Sequence, residues 1–239
     1  MFNRISHIGV VVSDMEAALC VWRDKLGFKQ FSEAHFDVEG IRSIFLSLSG
    51  EAGEMSIELM EPVDKSDMNN PVARRLATKG EGFYHLAVVT DDVAASGRLL
   101  AERSLPTIDR PPVESATQAR WLVHPKAANG IMIEGIRSVF LSLSGEAGDM
   151  GIELMEPVDK SDMNNPVARR LATKGEGFYH LAVVSDDVAA SGRSLAERSL
   201  PIIDRPPVAS ATQARWLIHP KAANGIMIEG IEEWAGSGR

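Results

Sequence analysis

Histidines at the start of apolar strands are the residues of this chain whose type and spacing could do chemistry. The pattern occurs three times, as SHIGVVVSD around His7, FYHLAVVTDD around His85 and FYHLAVVSDD around His180. Short apolar segments later in the chain each carry a glutamate: Glu58, Glu134, Glu153 and Glu229. Imidazole and carboxylate are both ligands of divalent metal ions, so the recurring pair of residue types points to a metal site.

A single histidine or glutamate of this kind has an ordinary structural explanation. A histidine at a strand start is commonly half-buried with satisfied hydrogen bonds, and an isolated glutamate commonly faces solvent. Here, however, the glutamates stand between large apolar neighbours, as in Ile57-Glu58-Leu59, where burying an unpaired charge is costly. The joint pattern therefore favours a metal ion as the partner.

Two βαβββ modules would complete one such site. If each module offers a histidine from its first strand and a glutamate from its last, His7, Glu58, His85 and Glu134 converge. This donor set suits Co²⁺, Mn²⁺, Ni²⁺ or Zn²⁺, with positions left for water or substrate. The predicted fold class is α+β, with paired βαβββ modules forming curved mixed sheets around the metal site, and with a partial internal duplication.

The duplication is nearly exact. Residues Gly40 to Glu134 return as Gly135 to Glu229, a shift of 95 positions with eight substitutions. Removing one copy leaves residues 1–134 and a short tail, which we interpret as the functional unit. The strand around His7 lies outside the repeat and occurs once.

The repeat predicts seven segments. They are a first module (1–62), a linking helix (63–82), a second module (83–134), a partial copy of the first module (135–157), a copy of the linking helix (158–177), a copy of the second module (178–230) and a tail (231–239). The hairpins Ile41 to Met60 and Ile136 to Met155 compete for one place beside the first strand. The sequence leaves open whether the second module or its copy, with the duplicate donors Glu153, His180 and Glu229, completes the site.

Capping residues predict where the helices begin. Ser13 followed by Glu16 has the capping-box spacing and predicts a helix start at Ser13. Asn70, with proline at the next position and Gly80 after the last turn, predicts a linking helix over Pro71 to Lys79. In the second module, the corresponding helix is predicted between Asp91 and Ser104.

Alternation and composition predict burial in two further places. The strand from Ile41 to Leu48 alternates apolar residues with serines, which predicts one buried and one solvent-facing side. The single cysteine, Cys20, lies among alanine, leucine and valine, which predicts a buried, unreactive thiol.

Composition limits the partners and the compartment. The 239 residues are 44% hydrophobic and 24% charged, with a formal net charge of −8. An acidic chain argues against duplex nucleic acid and anionic membranes as partners. No apolar run is long enough to span a bilayer and no signal peptide is recognisable, so the cytoplasm is the expected location.

Several strings carry a family resemblance: HIGVVVSDMEAAL, IELMEPVDKSD, NPVARRLATKGEGFYHLAVV and WLVHPKAANGIMIE. They resemble the vicinal oxygen chelate (glyoxalase/bleomycin-resistance/dioxygenase) superfamily, and within it the methylmalonyl-CoA epimerase family most closely. The resemblance implies metal binding by His7, His85 and Glu134, with Glu58 at the fourth position. It also implies two catalytic bases, Glu134 and a glutamate before the third strand, which is here Glu39.

The resemblance implies an isomerase: a metal-dependent epimerase that abstracts and returns the α-proton of methylmalonyl-CoA or a similar acyl-CoA through a metal-stabilised enolate. A glyoxalase I-type isomerase and a non-catalytic small-molecule-binding protein are the alternatives. An extradiol-type oxygenase is less favoured, because Glu58 supplies a fourth donor. The expected partner chain is a second copy, in a homodimer for which the near-identical elements offer a route to domain swapping.

Overall fold

The computed structural model describes residues 2–36, 39–110, 120–136, 152–205 and 214–232. The helices in these ranges are α1 (Met15–Leu19), α2 (Pro71–Lys79), α3 (Val93–Glu102), α4 (Pro166–Lys174) and α5 (Val188–Glu197). The strands are β1 (Arg4–Val11), β2 (Lys29–Phe36), β3 (Ile41–Ser47), β4 (Ser56–Pro62), β5 (Gly82–Val89), β6 (Thr107–Arg110), β7 (Arg120–Val123), β8 (Met132–Ile136), β9 (Leu181–Val184), β10 (Ile202–Arg205), β11 (Arg215–Ile218) and β12 (Ile228–Ile231). None of the described helices is long and apolar enough to cross a membrane.

The chain divides into two compact units. The first contains Met1–Ile8, Ala52–Met55 and Tyr84–Phe178, and the second contains Gly9–Glu51, Ser56–Phe83 and Tyr179–Arg239. Boundaries between the units fall within β1, after Ile8, and within β5, after Phe83. Each unit contains parallel and antiparallel strand pairs together with helices, so the predicted α+β class with mixed sheets is confirmed.

The first unit holds its strands in the order β1-β5-β8-β7-β6. Strands β5 and β8 are parallel, and β8-β7 and β7-β6 are antiparallel. Helix α3 contacts this sheet, and Val88, Leu100, Trp121 and Val123 form a buried cluster. The Trp121 indole N–H donates to Ser96 Oγ on the helix at 2.9 Å, which fixes the orientation of this buried ring.

The second unit contains the antiparallel strands β2-β3-β4, with the later residues of β1 beside β4. It also contains a separate sheet in the order β10-β11-β12-β9. In that sheet β9 and β12 are parallel and the other pairs antiparallel, which repeats the β5-β8-β7-β6 arrangement. Trp216 repeats the indole contact, donating to Ser191 Oγ at 3.0 Å.

Helix α2 and its copy α4 confirm the predicted linking helix. The side chain of Asn70 accepts from the backbone N–H groups of Val72 and Ala73, and Asn165 makes the same two contacts in the copy. Each cap satisfies N–H groups that have no partner inside the first helical turn. Glycine with positive φ ends both helices.

The predicted start of α1 at Ser13 is wrong by one residue. Asp14 is the cap, and its side chain accepts from Ala17 N at 3.0 Å. Ser13 instead donates from its backbone N and its Oγ to Glu81 Oε1. The serine that the local spacing predicted as the helix cap therefore binds a carboxylate 68 positions away in the sequence.

Two burial predictions are also wrong. Cys20 is exposed, because the buried face of α1 and the π-helical turn that follows it runs through Met15, Leu19 and Trp22. In β3, Ser43 and Ser47 are buried although they were expected to face solvent. That strand is paired on both edges, by β2 and β4, and both of its faces are largely covered.

The described end of the second hairpin does not repeat β4. Residues 137–151 lie outside the described ranges, and Ile152-Glu153-Leu154, predicted to be a strand, is not in one. Leu154 is 89% exposed, whereas its counterpart Leu59 in β4 is fully buried. These three residues of the copy lack the strand pairing that buries Ile57, Glu58 and Leu59 in the first hairpin.

Candidate metal centre

Three predicted donors meet in the first unit. His7, His85 and Glu134 are all buried, and one potential ligand atom from each lies within 4.8 Å of the others. The Nε2 atoms of His7 and His85 are 2.9 Å apart, and His85 Nε2 is 3.4 Å from Glu134 Oε2. The structure thus brings together residues that are up to 127 positions apart in sequence.

The parallel register of β5 and β8 explains why His85 and Glu134 meet. Glu134 is paired with Ala87, and His85 lies two residues before Ala87 on the same side of β5. The two site residues are therefore diagonal neighbours on one face of the sheet. Ala87 is fully buried, and its small side chain leaves room for the two longer ones.

Strand β1 brings the second histidine from the other edge of β5. Asn3 N donates to Val89 O at 2.9 Å. His7 lies four residues after Asn3, and it contacts His85, which lies four residues before Val89 in β5. The two strands consequently run antiparallel, with histidine opposite histidine. Their rings contact edge to face, with centroids 5.1 Å apart.

Neighbouring side chains hold the three donors in place. Ser6 Oγ lies 3.1 Å from His7 Nδ1, the ring nitrogen that faces away from His85. Tyr84 contacts the edge of the His85 ring. Arg120 Nη1 pairs with Glu134 Oε1 at 3.2 Å, which leaves Oε2 directed toward His85. Contacts of this kind orient metal ligands in proteins.

Arg120 was missed by the sequence analysis. In the β7-β8 register Leu122 is paired with Glu134, and Arg120 lies two residues earlier on the same face. The only signal for Arg120 in the sequence is that the repeat keeps an arginine at the equivalent position, Arg215. The contact with Glu134 can be recognised only once the register is known, because a diagonal pair depends on which residues lie opposite each other.

The residues fit a divalent ion. Ions such as Zn²⁺ hold imidazole and carboxylate donors about 2.0–2.2 Å away, which places ligand atoms roughly 3 to 3.5 Å apart. The spacings of 2.9 and 3.4 Å are of this size. The donors are also buried, where two imidazole nitrogens and a carboxylate facing one another favour a shared cation.

The other two predicted site residues lie in the second unit. Glu58 is buried in β4, where it is paired with Phe45 of β3. Glu39 is half-buried in the turn before β3, and its backbone carbonyl accepts from Asn70 Nδ2 at 2.8 Å. Their places at the metal centre remain predictions from the family resemblance.

The duplicate donors form a smaller group. His180 Nε2 lies 3.3 Å from Glu229 Oε2, and Arg215 Nη1 lies 3.1 Å from Glu229 Oε1. Glu153, the third predicted duplicate donor, is exposed and outside any strand. Within the described ranges, His7, His85 and Glu134 are the one group of three such donors close enough to hold an ion.

A family model identifies the architecture. The model described as Glyoxalase/Bleomycin resistance protein/Dioxygenase superfamily matches residues 6–123 and 125–217, most of the chain. The chain belongs to this superfamily. The resemblance inferred from the sequence is thereby confirmed, and the two matched stretches agree with a duplicated architecture.

Curated relatives and a solved structure of similar sequence are epimerases. An ethylmalonyl-CoA/methylmalonyl-CoA epimerase of Cereibacter sphaeroides is 26% identical over 137 residues, which are 56% of this chain and 97% of the relative. The mitochondrial methylmalonyl-CoA epimerase of Mus musculus is 24% identical over 134 residues, 55% of this chain and 71% of the relative. A structure of a Streptomyces coelicolor methylmalonyl-CoA epimerase variant in complex with 2-nitronate-propionyl-CoA is 25% identical, with a TM-score of 0.50, and the match covers 59% of this chain and 100% of that chain. Just over half of this chain thus corresponds to a whole relative.

Proposed function

We propose that this protein is a divalent-metal-dependent epimerase that removes and returns the α-proton of methylmalonyl-CoA or a similar acyl-CoA. The observation that carries the proposal is the buried group of His7, His85 and Glu134, whose donor atoms have the spacing of metal ligands. The epimerases among the relatives support the substrate class. The protein is accordingly an isomerase in this proposal.

Four residues would hold the ion: His7, His85 and Glu134, with Glu58 as a fourth donor. A bound divalent ion supplies Lewis-acid stabilisation of the negative charge that develops on the substrate oxygens as the α-proton leaves. The protein contributes donors that are positioned in advance, because Ser6 and Arg120 contact the side chains of His7 and Glu134. Such positioning reduces the reorganisation required during the reaction.

Epimerisation needs a proton acceptor and a proton donor on opposite faces of the reacting carbon. We assign the acceptor role to Glu134, whose carboxylate is held by Arg120 through Oε1. The C–H bond breaks, the proton passes to this carboxylate, and the electron pair is delocalised toward the thioester carbonyl. We assign Glu39 as the acid that delivers a proton to the other face, which restores the C–H bond with inverted configuration.

Proton NMR of methylmalonyl-CoA in D₂O tests this function. We expect the C2 proton signal to disappear when protein and Co²⁺ are both present, and to persist when Co²⁺ is omitted from metal-free protein. Glu134→Gln should slow the exchange at least about 100-fold, because a positioned general base typically contributes that much. Glu229→Gln is the matched control and should exchange at the wild-type rate.

The same experiment separates the epimerase from its two rivals. Absence of exchange in protein shown to hold Co²⁺ would reject the epimerase and favour a glyoxalase I-type isomerase or a non-catalytic binding protein. Turnover of a glutathione hemithioacetal would then distinguish those two.

A further inference from the structure

Arg120 is the most exposed residue of the group at the first site. Its side chain is 32% exposed, whereas those of His85 and Glu134 are 5% and 8% exposed. The guanidinium still reaches the buried carboxylate, with Nη1 3.2 Å from Glu134 Oε1. A molecule that arrives from solvent can therefore contact Arg120 and lie next to Glu134 at the same time.

The copied module repeats this arrangement. Arg215 Nη1 lies 3.1 Å from Glu229 Oε1, and the arginine side chain is 46% exposed while that of the glutamate is 12% exposed. In the described part of the chain β9 ends its sheet, with no strand in the place that β1 takes beside β5. An exposed arginine in contact with a buried glutamate is therefore a property of the module itself, and it does not require β1.

The proposed substrate class brings a second carboxylate to this position. In a malonyl-type thioester the free carboxylate is bonded to the α-carbon, and the inference rests on the proposed function in placing that carbon at Glu134. Reacting atoms approach each other to about 3–3.5 Å. The substrate carboxylate then lies close to the Glu134 carboxylate, where two like charges repel each other more strongly than in bulk water. A cation in contact with both groups offsets this repulsion.

A guanidinium group suits that role. It is always charged, it carries five N–H donors in one plane, and its geometry matches that of carboxylate oxygens. One arginine can therefore donate to the oxygens of two carboxylates at once. An apolar group in place of the substrate carboxylate would leave the guanidinium without this acceptor, and a mismatch of that kind weakens binding.

We propose that Arg120 determines the specificity of the site by donating to the free carboxylate of a malonyl-type acyl-CoA, while it keeps its contact with Glu134. The residue selects thioesters that carry a carboxylate on the α-carbon, and it disfavours neutral acyl-CoA thioesters. It also holds the α-carbon of the substrate beside the carboxylate assigned as the proton acceptor. This role is additional to the orientation of Glu134.

Binding of two ligands that differ in this one group tests the inference. They are methylmalonyl-CoA and isobutyryl-CoA, in which a methyl group replaces the carboxylate. Calorimetry with protein saturated with Co²⁺, verified for each variant by metal analysis, gives the ratio of their dissociation constants. We expect wild-type protein to prefer methylmalonyl-CoA, and Arg120→Met to reduce this preference at least about tenfold, a usual effect of losing a hydrogen bond to a charged group. Arg120→Lys should retain part of the preference, because it keeps the charge.

Two further variants separate specificity from the positioning of Glu134. Arg215→Met is the matched control, since Arg215 makes the same contact in the copied module, and it should leave the ratio at the wild-type value. Glu134→Gln removes the charge that Arg120 orients and keeps the arginine. It should keep or increase the preference for methylmalonyl-CoA, because a competing negative charge is gone. Loss of the preference in Glu134→Gln would overturn the inference, as would equal weakening of both ligands in Arg120→Met.

Failure of the proposed function gives a different result. Wild-type protein that binds methylmalonyl-CoA selectively through Arg120, but exchanges no C2 proton, would reject the epimerase and support the inference. Exchange by a protein whose preference is unchanged in Arg120→Met would support the epimerase and overturn the inference. A protein that binds neither thioester would overturn both.

Discussion

The second module and its copy are almost the same sequence, yet their first strands, β5 and β9, differ in length and pairing. Inside each module the contacts agree closely: histidine with glutamate, arginine with glutamate, and tryptophan with serine. At the outer edge they differ, since β5 has a neighbour in β1 while β9 forms the end of its sheet. The comparison teaches that a module determines its own internal geometry, while the completeness of its group of potential metal donors depends on an adjoining strand.

The largest expected difference concerns the two module histidines. His85→Ala should reduce metal-dependent α-proton exchange by more than the ~10–100-fold typical of losing an outer-shell partner, because it removes a proposed ligand. His180→Ala should leave the rate within about twofold, since the first site retains all its donors. Exchange rates from NMR at a fixed Co²⁺ concentration measure both. Equal partial losses would show that neither module dominates the site.

Substitution of the two module arginines should also affect the first site unequally, with Arg120 mattering more than Arg215, but the difference should be smaller than for the histidines. Arg120→Met removes the partner that orients buried Glu134, and we expect about a 10–100-fold loss of Co²⁺ affinity at the first site. Arg215→Met should leave that affinity unchanged. Titration of metal-free protein, followed by Co²⁺ absorption, gives both values. Arg120→Lys should recover part of the loss by restoring the charge. Full loss in this variant would indicate that the geometry of the guanidinium group matters more than its charge.

Substitution of two equivalent glycines, one in each module, should lower the stability of the protein to a similar extent. The site residues, in contrast, should have unequal effects in the two modules. A Cβ on Gly135 would lie 2.1 Å from the Trp121 ring, and one on Gly230 would lie 2.0 Å from the Trp216 ring. Alanine at either position should therefore destabilise the protein by about 1–3 kcal/mol, the usual cost of overpacking. Urea denaturation of Gly135→Ala and Gly230→Ala measures this. A strong effect at one position alone would mean that the two modules differ in packing as well as in their edges.

The smallest expected effect is the pH dependence of folding stability that arises from two equivalent turns. The side-chain hydroxyl and then the backbone N–H of Ser66 lower the pKa of Asp64, and Ser161 lowers the pKa of Asp159 in the same way. A lowered pKa gives stability that is present above the pKa of the unfolded chain, and that is lost as pH falls through the folded value. Asp64→Asn and Asp159→Asn should each be slightly less stable than wild type at neutral pH. This difference should vanish at acidic pH in denaturation experiments, and a deficit that persists in acid would refute the role of the charge.

Local sequence signals predicted the elements whose stabilising contacts are local. Asn70 and Gly80 define α2 because capping involves residues within one turn of the helix end. The start of α1 was predicted wrongly because Glu81, distant in sequence, binds Ser13. Cys20 was placed inside on the composition of its neighbours, whereas its burial depends on which face of the helix meets the sheet.

The candidate site shows the same division. His7, His85 and Glu134 could be selected from the sequence because their pattern repeats, and the structure brings these three together. Arg120 could not be selected, because its contact with Glu134 follows from the register of β7 and β8. The residues next to Arg120 in the sequence do not show whether it is a site residue or an exposed surface charge.

By itself the sequence determined the internal repeat, the ends of the linking helices and the histidines and glutamates that are proposed to bind a metal. These follow from periodicity, capping chemistry and the repeat. Only the tertiary structure decided which of two near-identical hairpins forms β3 and β4, which strand flanks β5, and how long β9 is. The physical reason is that a strand is completed by a neighbour about 4.8 Å away, and two near-identical sequences do not by themselves specify which of them receives that neighbour.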